Sequence, residues 1–282
     1  AQFYDSQLCV AEFYIKGASD TEILFTSYLC HPSMANNELS GPVTISFLIQ
    51  HLLEEGYEGE HSLRFVLFPE TIGALAFLSL RGEHLKRKLI SGYVLTCIGD
   101  KKDIGIKLSH IKDSKIDSLS VHALSSYFNK EINVDKFEPF GSDERQFNSP
   151  YYRLPVSTLF RSKFGEYDEY HTDADNLELI DSTKIQENIL FLTYLIKTHN
   201  MNIVYARYEN RGELHLSKYD LYEGIGASVE KKDDHILIAW FMHLVNGQRS
   251  LWDISSESEI IFDEVARIAK ICLDKGIIYQ IK

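Results

Sequence analysis

The sequence has few cysteines, and they lie far apart along the chain. Its 282 residues include four, with no C-x-x-C pair: Cys9, Cys30, Cys97 and Cys272. This spacing excludes a dense disulfide framework and is typical of reduced thiols in a cytoplasmic protein.

The sequence also lacks long apolar runs. No stretch approaches 18 consecutive apolar residues, so no membrane-spanning helix is predicted. The first ten residues show no basic segment followed by an apolar one, so no signal peptide is visible. The chain opens almost directly on a strand-like segment, and we therefore expect that natural N-terminal sequence is missing from it. We expect a cytoplasmic location.

Basic residues are outnumbered by acidic ones. The formal net charge is −12 and the pI is near 5.4, which disfavours binding to phosphate backbones.

The sequence has many residues that can form a hydrophobic core, since 44% of residues are hydrophobic and 16 Tyr and 16 Phe are present. A chain of 282 residues is long for a single hydrophobic core and long enough to form two domains.

Strand and helix patterns alternate through the first two-thirds of the chain. Short apolar runs predict strands at Leu8–Ile15, Ile23–Leu29, Leu63–Phe68, Gly92–Ile98 and Val156–Phe160. Apolar residues at helical spacing predict helices at Val43–Glu54, Ile72–Leu80, Ser114–Tyr127 and Ser182–His199. Alternation of this kind predicts an α/β domain with a mixed, mostly parallel sheet and helices on both faces.

The composition changes near residue 200, and we place a domain boundary between residues 202 and 203. A segment without helical period, residues 205–226, precedes an apolar helix at His235–Val245. A short segment Ser250–Ser256, an amphipathic helix Ile261–Lys275 and a final strand Ile277–Ile281 follow. This order is that of a winged helix, so residues 203–282 are predicted to form a small winged-helix-type domain.

Four polar clusters carry residues suited to chemistry. They are CHPSMANNELSG (residues 30–41), FPETIG (68–73), GSDERQF (141–147) and EYHTDADNLELI (169–180). Ligands bind beyond the carboxyl ends of parallel strands, and the apolar segments beside these clusters are expected to end at one edge of the sheet. Metal ligands held at strand ends and helix starts are fixed by the backbone. We therefore expect His31, Glu70, Asp143 and His171 to meet.

Each of these residues also has a purely structural interpretation. A single histidine at a strand end often serves only as a hydrogen-bonding residue. Glu70 could cap the following helix, and Asp143 after Gly-Ser could form an Asx-turn. Asp173 and Asp175 could form another helix cap.

The order of the clusters resembles that of the co-catalytic zinc aminopeptidase family, which includes bacterial leucyl aminopeptidases, glutamate carboxypeptidases and glutaminyl cyclases. That family has a strand-end His, an N-D-x-x-S-G helix start, a Glu-Glu pair, an S-D-H-x-x-F turn and a Y-H-T-x-x-D segment. The match covers roughly residues 20–200. The residues of the four motifs resemble more closely those of a bacterial subgroup. Its members are polysaccharide-biosynthesis proteins with an aminopeptidase-like domain and a C-terminal winged helix.

The resemblance implies zinc ligands and a general base. His31 and His171 are the strongest ligand candidates, and Glu70 matches the family's general base but could also be a ligand. Asp143 resembles a substrate-contacting residue that could move inward as a ligand. Tyr170 and Arg145 could hold a substrate carbonyl or carboxylate, and Asn37 and Glu38 are further candidates for substrate binding. The reserve ligand candidates are Glu38, Cys97 and Asp100.

The departures from the family pattern change the expected metal count. Asn37 stands where the family has the Asp that bridges two zinc ions, and Thr71 stands where it has the second Glu. The family's further Asp ligand is not clearly present near Thr96, Cys97 or Asp100. Two Zn²⁺ ions need an anionic bridge, so we expect one zinc ion rather than two, with an open position.

We therefore expect a zinc-dependent aminopeptidase-like or amidohydrolase-like enzyme acting in surface polysaccharide biosynthesis. Its substrate would be a small molecule, a peptide or an aminoacylated sugar, with no nucleic-acid or membrane partner; homo-oligomerisation is left open. One alternative is a catalytically degenerate domain that binds a glycan or a peptide. A DNA-binding regulator is a weaker alternative, since the charges along Ile261–Lys275 cancel.

Overall fold

The computed structural model describes residues 7–219, 221 and 234–281. The chain divides into two compact units, Ala1–Thr198 and His199–Lys282. The strands of the first unit are β1 (Ala11–Ile15), β2 (Glu22–Tyr28), β3 (Ser62–Phe68), β4 (Leu89–Leu95), β5 (Gly105–Lys107), β6 (Asn133–Asp135) and β7 (Val156–Phe160). Its helices are α1 (Ser40–Glu54), α2 (Ile72–Lys88), α3 (Lys115–Phe128), α4 (Glu144–Phe147) and α5 (Ser182–Met201), which runs into the second unit, and a π-helical turn spans Ala35–Leu39.

The seven strands form one sheet in the order β1-β3-β2-β4-β7-β5-β6. The four central strands β3, β2, β4 and β7 are parallel to one another, whereas β1 pairs antiparallel with β3 and β5 pairs antiparallel with β7. The carboxyl ends of these four parallel strands therefore lie at one edge of the sheet. The predicted mixed, mostly parallel sheet is confirmed.

Both faces of the sheet are covered by helices, as the near-continuous apolar strands predict. Neighbouring residues of β2 point to opposite faces, so Ile23 and Phe25 join one apolar cluster and Leu24 joins another. The first cluster includes side chains of α1, α3 and α5, and the second includes side chains of α2 and α4. Burying these two clusters is the main free-energy gain that holds the unit together.

Several element boundaries differ from the sequence prediction. The strand predicted at Gly92–Ile98 ends at Leu95, and the second helix continues from Leu80 to Lys88. β5 and β6 were not predicted, because each has three residues and β5 ends in a charged residue, Lys107. The π-helical turn before α1 was not predicted either.

The second unit contains β8 (Tyr205–Arg207), a 3₁₀ turn (Leu216–Tyr219), α6 (Asp234–Leu244), α7 (Leu251–Ser258), α8 (Phe262–Asp274) and β9 (Ile278–Gln280). β8 pairs antiparallel with β9, and α8 buries an apolar stripe. The predicted winged-helix architecture is confirmed, with β8 as an unpredicted addition. Gly224 and Gly226 of the segment predicted to lack helical period lie outside the described residues. No helix among the described residues is long and apolar enough to cross a membrane.

Candidate functional site

His31 and Glu70 lie side by side just beyond the ends of two adjacent parallel strands. Tyr28 at the end of β2 is in register with Phe68 at the end of β3, and the Leu29 N–H donates to the Phe68 carbonyl at 2.9 Å. His31 follows three residues after β2 and Glu70 two residues after β3. Their side chains approach with 3.7 Å between His31 Nε2 and Glu70 Oε2.

His171 reaches the same place from the long loop that follows β7. Its ring centroid lies 5.2 Å from that of His31, and it stacks on Tyr170 at 4.0 Å with an interplanar angle of 11°. His171 is solvent-exposed and has a φ of +56°, in the left-handed region that a non-glycine residue adopts rarely. Burial raises the pKa of Tyr170 to about 12.

A buried carboxylate explains why the first and fourth clusters meet. Asp175 is fully buried, and its Oδ1 accepts the backbone N–H groups of Ala35 at 3.1 Å and Asn36 at 2.6 Å. Its Oδ2 accepts the N–H of Asn37 at 2.9 Å. Asp175 therefore serves as a cap, as the structural interpretation of this residue expected, and it caps the π-helical turn. It ties the loop that carries His171 to the turn that follows His31.

Glu38 and Asn37, two of the three polar residues of that turn, have different environments. Glu38 accepts the backbone N–H of His31, and its Oε2 lies 3.9 Å from His31 Nδ1. Burial raises the pKa of the Glu38 carboxyl. Asn37 is 1% exposed and donates from Nδ2 to the Tyr28 hydroxyl at 2.9 Å. Its Oδ1 is buried without a hydrogen-bond partner among the described residues.

The third cluster contacts the segment that carries Glu70. Ser142 donates from its hydroxyl to Glu70 Oε1 at 3.0 Å, and Asp143 Oδ1 accepts the Thr71 N–H at 2.7 Å. Arg145 donates from Nη2 to Thr71 Oγ1 at 3.1 Å. Asp143 is fully buried, and this burial raises the pKa of its carboxyl to about 7. The nearby carboxylates of Glu70 and Glu144 make a smaller contribution in the same direction.

Cys30 is a residue of the site that the sequence interpretation did not single out. Its Sγ lies 3.3 Å from His31 Nδ1 and accepts the Glu70 backbone N–H at 3.1 Å. Its position directly before His31 was the available signal. Cys97 is buried with a φ of +47°, and burial raises the pKa of its thiol.

As they are placed among the described residues, the acidic and neutral side chains at the resembled family's ligand positions do not form a metal-binding group. Over residues 7–219, 221 and 234–281, no group of three or more His, Cys, Asp and Glu side chains is arranged to hold a metal ion. Asn37 and Thr71 occupy two carboxylate positions of the resembled family. Asp100 is engaged elsewhere, since its Oδ2 accepts Asn36 Nδ2 at 2.8 Å and its Oδ1 accepts the Lys102 N–H at 2.8 Å.

Three candidate donors of the site remain, and their chemical types can be compared with those of known zinc sites. Two imidazoles and a carboxylate form the donor set of many catalytic zinc sites. His31 and His171 supply two imidazoles whose ring centroids lie 5.2 Å apart. Glu70 supplies the carboxylate beside them, either as a third ligand or as a base next to the ion.

Two family models match the chain. The domain of unknown function DUF4910 matches residues 2–202, and a winged helix-turn-helix model matches residues 203–280. A curated protein of Clostridium acetobutylicum, described as a "Putative polysaccharide biosynthesis protein with aminopeptidase-like domain", is 36% identical over 261 residues. That alignment covers 93% of this chain and 59% of the relative, so the chain spans less than two thirds of the relative's length.

Solved structures share the fold. A crystal structure from Clostridium acetobutylicum, described as that of a "putative peptidase", matches with a TM-score of 0.83 and 33% identity over 96% of this chain and 60% of that chain. A zinc aminopeptidase from Bacillus subtilis matches with a TM-score of 0.55 and 14% identity over 67% of this chain and 49% of that chain. At that identity the second match is evidence of a shared fold alone.

Proposed function

This chain belongs to the DUF4910 family and has an aminopeptidase-like domain followed by a winged helix, and we propose that it hydrolyses an amide bond during polysaccharide biosynthesis with one zinc ion. The proposal depends on one observation, the meeting of His31, His171 and Glu70 beyond the carboxyl ends of the parallel strands. The relative named for polysaccharide biosynthesis suggests the process. An N-acylated or aminoacylated sugar is the proposed substrate.

His31 and His171 are the proposed zinc ligands. A bound zinc ion would polarise the substrate carbonyl and lower the pKa of its water. Glu70 is the proposed general base, which would take a proton from the attacking water and return it to the leaving nitrogen. The Ser142 hydroxyl fixes Glu70 Oε1 at 3.0 Å and leaves Oε2 on the side of His31, at 3.7 Å from Nε2.

Tyr170 is the proposed donor to the substrate carbonyl oxygen. Its hydroxyl is protonated at neutral pH, as that of any tyrosine with a pKa near 10 would be, and burial raises its pKa further, to about 12. Stacking on His171 at 4.0 Å holds the phenol ring beside the candidate ligand. A donor fixed in this way stabilises negative charge that develops on the oxygen in the transition state.

The substitution Glu70→Gln separates the two roles of Glu70. Zinc content would be measured by plasma mass spectrometry, and hydrolysis would be assayed with aminoacyl-p-nitroanilides and N-acetylated amino sugars. A general base predicts that the Glu70→Gln variant retains zinc while kcat falls at least about 100-fold. A ligand role predicts that zinc is lost together with activity. The exposed Glu138, changed to Gln, is the matched control, and Glu70→Gln with full activity would remove both roles.

A second candidate function is ligand binding without catalysis. Asn37 and Thr71 in place of carboxylates favour it, because they remove anionic ligands that the resembled enzymes have. In that case the chain would bind a glycan or peptide in the same site without zinc. Titration calorimetry with zinc after chelation distinguishes the candidates: a bound stoichiometric ion supports hydrolysis, and no binding supports the second function.

A further inference from the structure

The backbone that carries Glu70 has an unusual conformation. The Ile72 N–H donates to the Glu70 carbonyl at 2.7 Å, and Thr71 between them has φ +63° and ψ −68°. These values define a γ-turn with positive φ at its central residue, which is rare and strained. The strain is pronounced for Thr, because a β-branched side chain disfavours positive φ.

Three side chains from the GSDERQF cluster contact this turn at three different atoms. Asp143 Oδ1 accepts the Thr71 N–H at 2.7 Å, and Arg145 Nη2 donates to Thr71 Oγ1 at 3.1 Å. Ser142 donates to Glu70 Oε1 at 3.0 Å. Contacts to the amide, the side-chain oxygen of the strained residue and the carboxylate before it oppose relaxation of the turn. We call Ser142, Asp143 and Arg145 the turn clamp.

The turn clamp is itself anchored in the core. Glu144, between Asp143 and Arg145, is fully buried and pairs with the buried Lys107 of β5 at 2.8 Å between Nζ and Oε1. Lys107 also donates to the Phe140 carbonyl, just before the cluster. Phe147, at the end of α4, is fully buried. The segment is therefore held on both sides of the three contacting residues.

We propose that the turn clamp holds the strained γ-turn at Thr71 and so directs the Glu70 carboxylate toward His31. The three residues are positioning residues, and Asp143 has this role instead of that of a metal ligand. The inference rests on the proposed function for what Glu70 does. Without the clamp, Thr71 relaxes to negative φ, the chain direction at Glu70 changes and its carboxylate leaves His31.

The test combines removal of the clamp with removal of the strain. Asp143→Ala takes away the acceptor for the Thr71 N–H, and we expect kcat to fall about 100-fold with KM changed less than about twofold. Thr71→Gly adopts positive φ without steric cost. In the double variant D143A/T71G we expect at least about a tenfold recovery of kcat relative to D143A. Asp143→Asn keeps the accepting oxygen and is expected to retain most activity.

A readout that does not depend on activity separates this inference from the proposed function. Hydrogen exchange of the peptide covering residues 69–75 is expected to quicken about tenfold in D143A. It should return toward the native rate in D143A/T71G and remain native in D143N, with Glu138→Ala as the control. A chain without hydrolytic activity but with this exchange pattern would sink the proposed function and leave the clamp standing.

The opposite result overturns the clamp. If D143A leaves exchange at residues 69–75 unchanged, the turn does not need Asp143. If T71G fails to restore either exchange or kcat in the D143A background, Asp143 acts by another route, such as metal binding. Zinc content measured on the same samples identifies that case, because a ligand role predicts that D143A and D143A/T71G both lose the ion. Should D143A not fold, Arg145→Met, which removes the contact to Thr71 Oγ1, takes its place.

Discussion

The buried Asp143 carboxyl gives the folded chain a pH dependence that one substitution should remove. Asp143 is fully buried, and its pKa is raised from 3.8 to about 7, chiefly by burial. Because the folded state holds this proton more tightly than the unfolded chain, the folded state releases it only near pH 7. The stability that the proton contributes is complete below about pH 4 and is lost as the pH rises through about 7.

The size of the effect follows from the difference between the two pKa values. The interval from 3.8 to about 7 corresponds to a change in unfolding free energy of about 4 kcal/mol. This value is an upper limit, since relaxation around the ionised group reduces it. Asp143→Asn imitates the protonated carboxyl, keeps an oxygen for the Thr71 N–H and does not titrate. Its stability should therefore differ least from that of the native chain at pH 4.5, and its advantage over the native chain should be largest at pH 8.

Urea unfolding followed by circular dichroism measures this difference. Circular dichroism is preferred because both tryptophans, Trp240 and Trp252, belong to the second unit. The samples contain a chelator, so that no cation binds beside the carboxylate and lowers its pKa. A difference in unfolding free energy between the native and Asp143→Asn chains that is the same at every pH between 4.5 and 8 would show that Asp143 does not titrate in this range.

Three further predictions concern stability. Lys107→Met leaves the Glu144 carboxylate buried without a cation and should lower the unfolding free energy, measured in urea, by about 3–5 kcal/mol. The double variant that also carries Glu144→Leu should recover part of that loss. Asp175→Ala leaves three backbone N–H groups at residues 35–37 without their acceptor and should lower the unfolding free energy by about 3 kcal/mol or more; an unchanged melting temperature would contradict the capping role. Ser250→Ala removes the capping box of α7 and should lower stability by about 1 kcal/mol, measured by tryptophan fluorescence, whereas no change would mean that the cap is dispensable.

Much of the first unit was predictable because its central strands are apolar and bounded by polar turns. The run Val156–Phe160 was predicted to the residue, and β2 and β3 to within one residue at each end. Parallel pairing followed from the alternation with helices. β5 and β6 escaped prediction because three residues carry no clear periodicity. Lys107 in β5 looks like a surface residue, yet its buried partner Glu144 lies 37 positions later.

Most members of the candidate site could be predicted from the sequence, with Cys30 missed, but their connections could not. His31, Glu70 and His171 follow from motif positions, since polar residues gather where parallel strands end. The role of Asp175 depends on contacts to residues 139 and 140 positions away, which no local pattern encodes. The γ-turn at Thr71 is equally hidden, because Thr disfavours that conformation and tertiary contacts impose it.

Anomalous scattering at the zinc edge, from crystals grown with zinc after chelation of the purified chain, tests the central claim most directly. The account predicts one anomalous peak bound by imidazole nitrogens of both His31 and His171, with the Glu70 carboxylate beside it. A chain that folds but shows no peak between these rings, or carries its zinc at a place that neither ring touches, would contradict it.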